Sequence, residues 1–395
     1  MSRRDGLKFA QTALRQPPGR REAAPPAIEY PRRRHSADLS RTMTPQSSPS
    51  SALIAESAQC DARGDHVRAV DLLSQASRAG DAEAMTRLGK RLLIALDAPN
   101  LPQEGTGLIA RAAQLGHAEA AAQLAVLSAV GMFVPQSWGT AMTAITFAAE
   151  RGFAPARGQL RLLAADRELA AQPDDAGLWR RLAETVPLDP WHLPAKNGAT
   201  LQESPLIHHF PDFVDARVCD WLIAKARPRL VRAPIYSARE GRATISDTRT
   251  NRWAMFDITV ADLVSVLVQV RICANTGAPF RNLEPFAVLH YAVGEEATEH
   301  FDFVDPLTEN YEQVLARQGE RDLTFLLYLN EDYDGGHTEM PELGFSHKGS
   351  RGEGFYFVNV HENGQPDRRT LHAGRPPTRG EKWVVSQFIR NRPTF

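Results

Sequence analysis

The chain has 395 residues, of which 43% are hydrophobic and 24% are charged, and its formal net charge is −1 at pH 7. This length and composition predict a globular protein of more than one domain, and the balanced charge gives no indication of a nucleic-acid partner. The three cysteines are an odd number at wide spacing, which does not fit a disulfide framework or a zinc site. Since no segment is apolar enough for a membrane span or a secretory signal, we expect a cytoplasmic protein without a membrane partner.

The first segment, residues 1–50, is rich in Arg, Pro and Ser and carries ten basic residues before Met43. It has almost no apolar periodicity, so its composition predicts a disordered, solvated tail. A start of translation at Met43 is a second interpretation of the same segment. The run Arg32-Arg33-Arg34-His35 has the charge for an anionic partner, but a solvated tail is the favoured interpretation.

Residues 51–165 repeat with a period of 36 residues, marked by glycines at positions 80, 116 and 152. The recurring neighbours are Ala76, Ala112 and Ala148 before the glycines and Leu88, Leu124 and Leu160 after them. Small residues allow two helices to approach closely, and a glycine ends a helix where the chain turns. The pattern predicts an N-terminal α-solenoid of helical hairpins, and it resembles the Sel-type relatives of tetratricopeptide repeats, which implies a surface for protein partners.

Residues 166–204 contain several prolines around Trp191 and predict a linker with one short helix. In residues 205–395 two helical patterns, at 213–230 and 260–274, are followed by short runs rich in β-branched and aromatic residues. These runs are residues 284–291, 323–329, 354–360 and 383–389. They predict a double-stranded β-helix, or jelly roll, flanked by helices. The chain as a whole is therefore expected to be an α+β multidomain protein.

A metal-binding pattern lies within this predicted jelly roll. If His300-Phe301-Asp302 forms a strand, its alternating side chains place His300 and Asp302 on the same side. His372 would complete the set from a later strand. Two histidines and one carboxylate can occupy one face of Fe(II) and leave open positions for a cosubstrate and dioxygen. The pattern predicts an oxygenase.

Residues 203–392 resemble the prolyl 4-hydroxylase-like branch of the Fe(II)- and 2-oxoglutarate-dependent dioxygenases. The matching motifs, in chain order, are Tyr291 with Gly294, His300 with Asp302, Arg321 and Thr324, Tyr328-Leu329-Asn330, Gly335-Gly336-His337-Thr338, Gly352, Gly364 with Pro366-Asp367, His372-Ala373-Gly374 and Gly380-Glu381-Lys382-Trp383. The resemblance implies His300, Asp302 and His372 as iron ligands. It implies Tyr291, Thr338 and Lys382 as the 2-oxoglutarate site. Fe(II), 2-oxoglutarate and O2 follow as cofactor and cosubstrates, and a need for ascorbate is left open.

The chemistry of the cosubstrate calls for the same residue types. 2-Oxoglutarate chelates iron through its keto and adjacent carboxylate oxygens, so its distal carboxylate needs a cation and hydroxyl donors in the pocket. Lys382 offers a compact charge with three donors, and Tyr291 and Thr338 add neutral hydrogen bonds. No residue outside the iron centre is expected to be catalytic.

Three positions differ from the family pattern and concern the substrate. The tyrosine that is common three residues before the first ligand is Ala297, the Gly-Gly-Glu-Thr turn contains His337, and the late Lys-Trp pair is Gln387-Phe388. The metal ligands are unaffected, so hydroxylation is better supported than proline as the target. The candidates for substrate contact are Arg249, Trp253, Arg321 and Phe388, of which Arg249 and Trp253 lie in a predicted loop.

The leading interpretation is a 2-oxoglutarate-dependent dioxygenase that hydroxylates a carbon centre, such as that of a peptidyl proline. In it the repeats bind a protein substrate or another protein. Two alternatives stay open: a non-catalytic scaffold or sensor built on the oxygenase fold, and a hydroxylase of small molecules.

Overall fold

The computed structural model describes residues 49–237 and 242–395. These residues form two compact units, with the boundary between Pro187 and Leu188. The predicted tail and the proposed start at Met43 lie outside the described residues, except that Pro49 and Ser50 begin a helix. Within the two described ranges, no helix is both long and apolar enough to cross a membrane.

The first unit is entirely helical, and consecutive helices pack on one another as the repeat predicts. The helices are α1 (Pro49–Ala62), α2 (His66–Arg78), α3 (Ala82–Ile94), α4 (Pro102–Gln114), α5 (Ala118–Val130), α6 (Trp138–Glu150), α7 (Ala154–Leu163), α8 (Arg167–Ala171) and α9 (Leu178–Glu184). Side-chain oxygens accept hydrogen bonds at several helix starts, for example Asp81 Oδ1 from Ala84 N at 2.9 Å. The predicted solenoid of helical hairpins is confirmed.

The 36-residue period corresponds to one recurring turn. Gly80, Gly116 and Gly152 have φ angles of 91°, 93° and 89°, a conformation that favours glycine. In each turn the N–H of the residue after the glycine donates to the carbonyl of the alanine four positions before the glycine, at 3.0 to 3.1 Å. Those alanines are fully buried. The repeated residues therefore close each hairpin and fill the contact between its helices.

The predicted linker, residues 166–204, is divided by the structure. Its first part forms α8 and α9, and α9 packs against α6 and α7. Leu178, Trp179 and Leu182 are buried there, with the Arg157 guanidinium 5.0 Å from the Trp179 ring centroid. The prolines of this segment suggested a linker, but the helical spacing of the three apolar residues gives it a buried face and places it in the repeat unit.

The second unit contains short helices and antiparallel strands. Its helices are α10 (Asp189–His192), α11 (Ala216–Ala226), α12 (Leu263–Thr276) and α13 (Tyr311–Gln318). Its strands are β1 (Ala199–Glu203), β2 (Leu206–Phe210), β3 (Val231–Arg232), β4 (Ile235–Ser237), β5 (Arg242–Thr244), β6 (Arg252–Phe256), β7 (Phe286–Tyr291), β8 (Ala297–His300), β9 (Arg321–Tyr328), β10 (Asp334–Gly335), β11 (Thr338–Met340), β12 (Phe345–His347), β13 (Gly354–Val358), β14 (His372–Gly374), β15 (Pro377–Arg379) and β16 (Lys382–Arg390). The two predicted helices and four predicted strands of this unit are confirmed.

Two sheets form the predicted jelly roll. The larger has eight strands in the order β1-β2-β13-β9-β16-β7-β6-β3, and the smaller has four in the order β12-β11-β14-β8. One apolar cluster takes residues from both sheets: Leu289, Leu326 and Val384 from the larger, Ala297 and Met340 from the smaller. The core of this unit therefore lies between the sheets.

The other face of the large sheet is covered by helices. Gln269 of α12 donates to Gln387 of β16 at 2.8 Å, and both side chains are buried. On α11, Trp221 and Lys225 donate to Asp262, which caps the start of α12. Because side chains alternate along β16, Gln387 faces the helices and its neighbours Ser386 and Phe388 face the core between the sheets.

Candidate metal centre and cosubstrate cavity

The three predicted ligands converge in the small sheet. His300 ends β8 and His372 begins β14, and the two residues are directly paired across the antiparallel strands. Asp302 follows in a bend, because β8 stops at His300. The expectation that His300 and Asp302 share a strand is therefore wrong, and the bend turns Asp302 towards the histidines instead. One ligand atom from each residue lies within 4.8 Å of the others.

Backbone carbonyls orient both imidazole rings. His300 Nδ1 lies 2.7 Å from the Thr298 carbonyl oxygen, and His372 Nδ1 lies 3.0 Å from that of Thr370. A carbonyl can only accept, so each Nδ1 carries the proton. Each Nε2 then has its lone pair on the side of Asp302, at 3.7 Å from Oδ1 for His300 and 3.3 Å from Oδ2 for His372. In the neutral ring this tautomer leaves Nε2 free to bind a metal.

The protonation states favour a cation between the three side chains. Burial and the neighbouring His372 lower the pKa of His300 to about 4. Burial acts to raise the pKa of Asp302, but the two histidines, Arg321 and the Thr324 hydroxyl outweigh it, so this pKa lies below its ordinary value. At neutral pH the site therefore offers a neutral imidazole at His300 and a carboxylate at Asp302.

A cavity next to the ligands is lined by both sheets. Its walls include Tyr291, Lys382 and Thr338 together with His300, Asp302 and His372. Lys382 is 1% exposed, and burial lowers its pKa to about 7. Among the residues that the structure describes, no carboxylate pairs with this amine, whose Nζ lies 5.1 Å from the Tyr291 ring centroid. A buried cation without an anion calls for a negatively charged ligand.

Two hydroxyl groups accompany Lys382. The Tyr328 hydroxyl donates to Thr338 Oγ1 at 3.0 Å, so the hydrogen of Thr338 remains available to another acceptor. Burial raises the pKa of Tyr291, so its hydroxyl is a neutral donor at physiological pH. The set of one cation and two hydroxyl donors fits the distal carboxylate of 2-oxoglutarate. The His-Asp-His donor set fits Fe(II).

The four candidates for substrate contact separate into two pairs. Arg249 and Phe388 line the cavity. Arg321 is bidentate to Glu284, at 2.6 and 2.8 Å, and its guanidinium lies 3.8 Å from the Phe388 ring centroid. Trp253 lies on β6 rather than in a loop, and it packs on the apolar core. Arg321 therefore supports the wall that Phe388 forms, and Trp253 is not part of the cavity lining.

Several cavity residues were absent from the sequence-based prediction. Val384 and Ser386 lie between Lys382 and Phe388 on the same face of β16 and line the same cavity. Their alternation with Lys382 is the sequence signal that identifies them. His337, which differs from the family pattern, does not contribute to the cavity. It is half-buried and is not among the cavity-lining residues.

Comparisons with known proteins identify the family of this chain. Residues 286–390 match the model of the 2OG-Fe(II) oxygenase superfamily. The chain is 30% identical over 207 residues to prolyl 4-hydroxylase 1 of Arabidopsis thaliana, a match that covers 48% of this chain and 71% of that protein. The chain belongs to the 2OG-Fe(II) oxygenase superfamily. It is a 2-oxoglutarate-dependent dioxygenase of the prolyl 4-hydroxylase-like branch, and this family uses Fe(II), 2-oxoglutarate and O2.

Two solved structures are similar to parts of this chain. The viral collagen prolyl hydroxylase of Paramecium bursaria Chlorella virus-1 is 22% identical with a TM-score of 0.38, and the match covers 47% of this chain and 95% of that one. A Sel1 repeat protein from Oxalobacter formigenes is also 22% identical, with a TM-score of 0.24. That match covers 31% of this chain and 51% of the Sel1 repeat protein.

Proposed function

We propose that this oxygenase hydroxylates a carbon of a peptidyl residue, with proline as the first candidate. The observation that supports the reaction is that buried Lys382, which has no carboxylate partner among the described residues, lines the same cavity as His300, Asp302 and His372. Bound Fe(II) would supply the oxidising chemistry, in which R–H, O2 and 2-oxoglutarate give R–OH, succinate and CO2. The chain holds the metal with its two histidines and Asp302 and orients the cosubstrate with Lys382, Tyr291 and Thr338.

The part of the cavity lining that contains Phe388 and Arg249 suits a peptide. Phe388 offers a flat apolar surface, which the Arg321 guanidinium supports from 3.8 Å. Arg249 is half-buried and donates from Nε to Asn251 at 3.2 Å, and no carboxylate among the described residues pairs with it. Its remaining N–H groups can donate to a peptide carbonyl, and the Phe388 ring can contact a pyrrolidine ring. Together these contacts fit a proline in an extended chain.

Succinate formation by the full chain with Fe(II), 2-oxoglutarate and proline-containing peptides tests this proposal. We expect peptide-dependent succinate together with the mass gain of one oxygen atom on proline, and no gain on matched peptides with alanine in its place. Phe388→Ala should raise the KM for the peptide about tenfold, the effect of losing an aromatic contact. Succinate formation without oxidation of any peptide in the panel would argue against a peptidyl substrate and favour a small molecule.

We further propose that the repeat unit binds a protein partner in the groove between α6 and α9. This groove has a volume of about 430 Å³, and its lining includes Met142, Phe147 and Glu184. Arg180 also lines it but is paired with Glu150 at 2.7 Å. Glu184 is exposed and has no ion pair among the described residues. An apolar side chain next to a lysine or arginine would complement the groove in both shape and charge.

Met142→Glu places a charge among the residues that line this groove and is expected to weaken partner binding about tenfold. If the partner is the protein substrate, its KM should rise while the KM of a short peptide stays unchanged. Val67→Glu, which adds the same charge at a residue of α2 that is 78% exposed, is the control. Equal KM values for Met142→Glu and Val67→Glu on the protein substrate would rule out recruitment through this groove.

A further inference from the structure

A chain of buried hydrogen bonds ends on the candidate metal-binding carboxylate. Thr324 Oγ1 donates to Asp302 Oδ2 at 2.8 Å, and Asn359 Nδ2 lies 3.0 Å from Thr324 Oγ1. Thr324 is 1% exposed and Asn359 is fully buried. Because solvent does not reach these groups, each hydrogen has a defined partner.

The orientation of the Asn359 amide determines the direction of the chain. Asn359 Nδ2 also lies 3.1 Å from the carbonyl oxygen of Arg321, which can only accept. This contact identifies Nδ2 as the nitrogen, which donates one hydrogen to Arg321 and the other to Thr324. The Thr324 hydroxyl has a single hydrogen, and since its oxygen accepts from Asn359, that hydrogen is donated to Asp302.

The arrangement leaves one acceptor of Asn359 unused. Asn359 Oδ1 is buried and has no hydrogen-bond partner among the residues that the structure describes. An unsatisfied buried acceptor costs about 1–3 kcal/mol. Rotating the amide would place this oxygen against the Arg321 carbonyl and would reverse the hydrogen bond to Thr324. The unpaired oxygen is therefore a consequence of keeping the donor directed at Thr324.

The main chain of Asn359 continues towards a second candidate ligand. Its carbonyl accepts from Asp367 N at 2.9 Å, and the Asp367 carbonyl accepts from Thr370 Oγ1 at 2.8 Å. The Thr370 carbonyl then orients His372 through Nδ1 at 3.0 Å. Asp367 and Thr370 are 2% and 0% exposed. One buried network thus reaches both Asp302 and His372.

We propose that Thr324 and Asn359 are positioning residues, which fix the carboxylate of Asp302 for metal binding through this directed pair of hydrogen bonds. The inference rests on the proposed function, because it concerns the same metal centre. Thr324 occupies one lone pair of Asp302 Oδ2 and limits the rotation of the carboxylate. Outer partners of metal ligands typically contribute 10–100-fold to metal affinity.

Co(II) binding to the full chain, measured by calorimetry and by the visible ligand-field spectrum of Co(II), tests the role of Thr324. Thr324→Ala and Thr324→Ser both lose the methyl group, and only Thr324→Ser keeps the hydroxyl. We expect the Kd of Thr324→Ala for Co(II) to rise on the order of 10–100-fold with an altered spectrum. Thr324→Ser should restore both. Equal Kd values and spectra for the two variants would overturn the proposal, because a packing role would affect them alike.

Asn359→Asp tests the direction of the chain without a change of size. A carboxylate at position 359 can only accept, so it takes the single hydroxyl hydrogen of Thr324. Asp302 then loses its hydrogen bond from Thr324. We expect a Kd for Co(II) at least as high as that of Thr324→Ala. Asn275→Asp is the matched control. The Asn275 side chain forms hydrogen bonds with the main chain of Arg271 and Ala195, and it does not contact the candidate ligands. A wild-type Kd for Asn359→Asp would overturn the proposed direction. Absence of Co(II) binding in the wild-type protein would instead overturn the metal centre itself, and the proposed function with it.

Discussion

Asp302→Asn is expected to reduce succinate formation by at least 1,000-fold, on the reasoning that a direct ligand contributes more than the 10–100-fold of its outer partners. The substitution preserves the size of the side chain but removes the only carboxylate from a set whose other two members are histidines. Succinate formation at saturating 2-oxoglutarate and the Kd for Co(II) are the two measurements, and both should change together.

The metal-free protein should also lose some stability. The pKa of Asp302 lies below its ordinary value, so the folded state favours the charged carboxylate, and an amide at this position loses that contribution. Asp334→Asn, which affects an exposed carboxylate paired with Arg379, is the control for loss of a charge and should keep wild-type activity. Retention of more than about a tenth of the activity by Asp302→Asn would be incompatible with Asp302 as an iron ligand.

Lys382→Met is expected to raise the Kd for 2-oxoglutarate on the order of 100-fold or more, because removing one partner of a buried ion pair costs about 3–5 kcal/mol. Methionine keeps the length of the side chain without its charge. Calorimetric titration of the Mn(II)-loaded protein with 2-oxoglutarate measures the change. Lys225→Met is the matched control, because Lys225 pairs with Asp262 on the opposite face of the large sheet.

The same lysine predicts a pH dependence of cosubstrate binding. Without ligand the pKa of Lys382 is about 7, because burial disfavours the charged form, and the distal carboxylate of 2-oxoglutarate would raise it. Affinity for 2-oxoglutarate should therefore be highest below pH 7, where Lys382 is protonated before the ligand binds. It should fall by up to about tenfold per pH unit above pH 7. A Kd that is the same at pH 7 and pH 9 would contradict the assignment of Lys382.

The unliganded protein should show the reverse trend in stability. In the unfolded chain a lysine has a pKa of about 10.4, so between pH 7 and that value the unfolded state binds more protons than the folded state. Lys382 therefore makes the free energy of unfolding rise with pH across this window, by at most about 1.4 kcal/mol per pH unit. This contribution should be absent in Lys382→Met.

Local patterns in the sequence were sufficient for the architecture of both units. A glycine, an alanine and a leucine that recur every 36 residues encode one turn and one helix contact, which repetition extends into a solenoid. In the second unit, alternation and β-branched residues identified four strands of the large sheet. The segment after Asp166 was assigned to a linker because its prolines were given more weight than the apolar residues around Trp179, whose packing partners lie in earlier helices.

The candidate site was likewise predicted from the sequence only in part. The types and order of His300, Asp302, His372 and Lys382 were readable from the sequence, because each supplies a donor or charge that the chemistry requires. Only the tertiary structure decided that Asp302 lies in a bend and that Arg321 is held by Glu284, 37 residues away. It also decided that no carboxylate in the described part of the chain pairs with Lys382. Strand register and the burial of charges set these relations. They depend on which distant residues share a face, and local spacing does not encode that information.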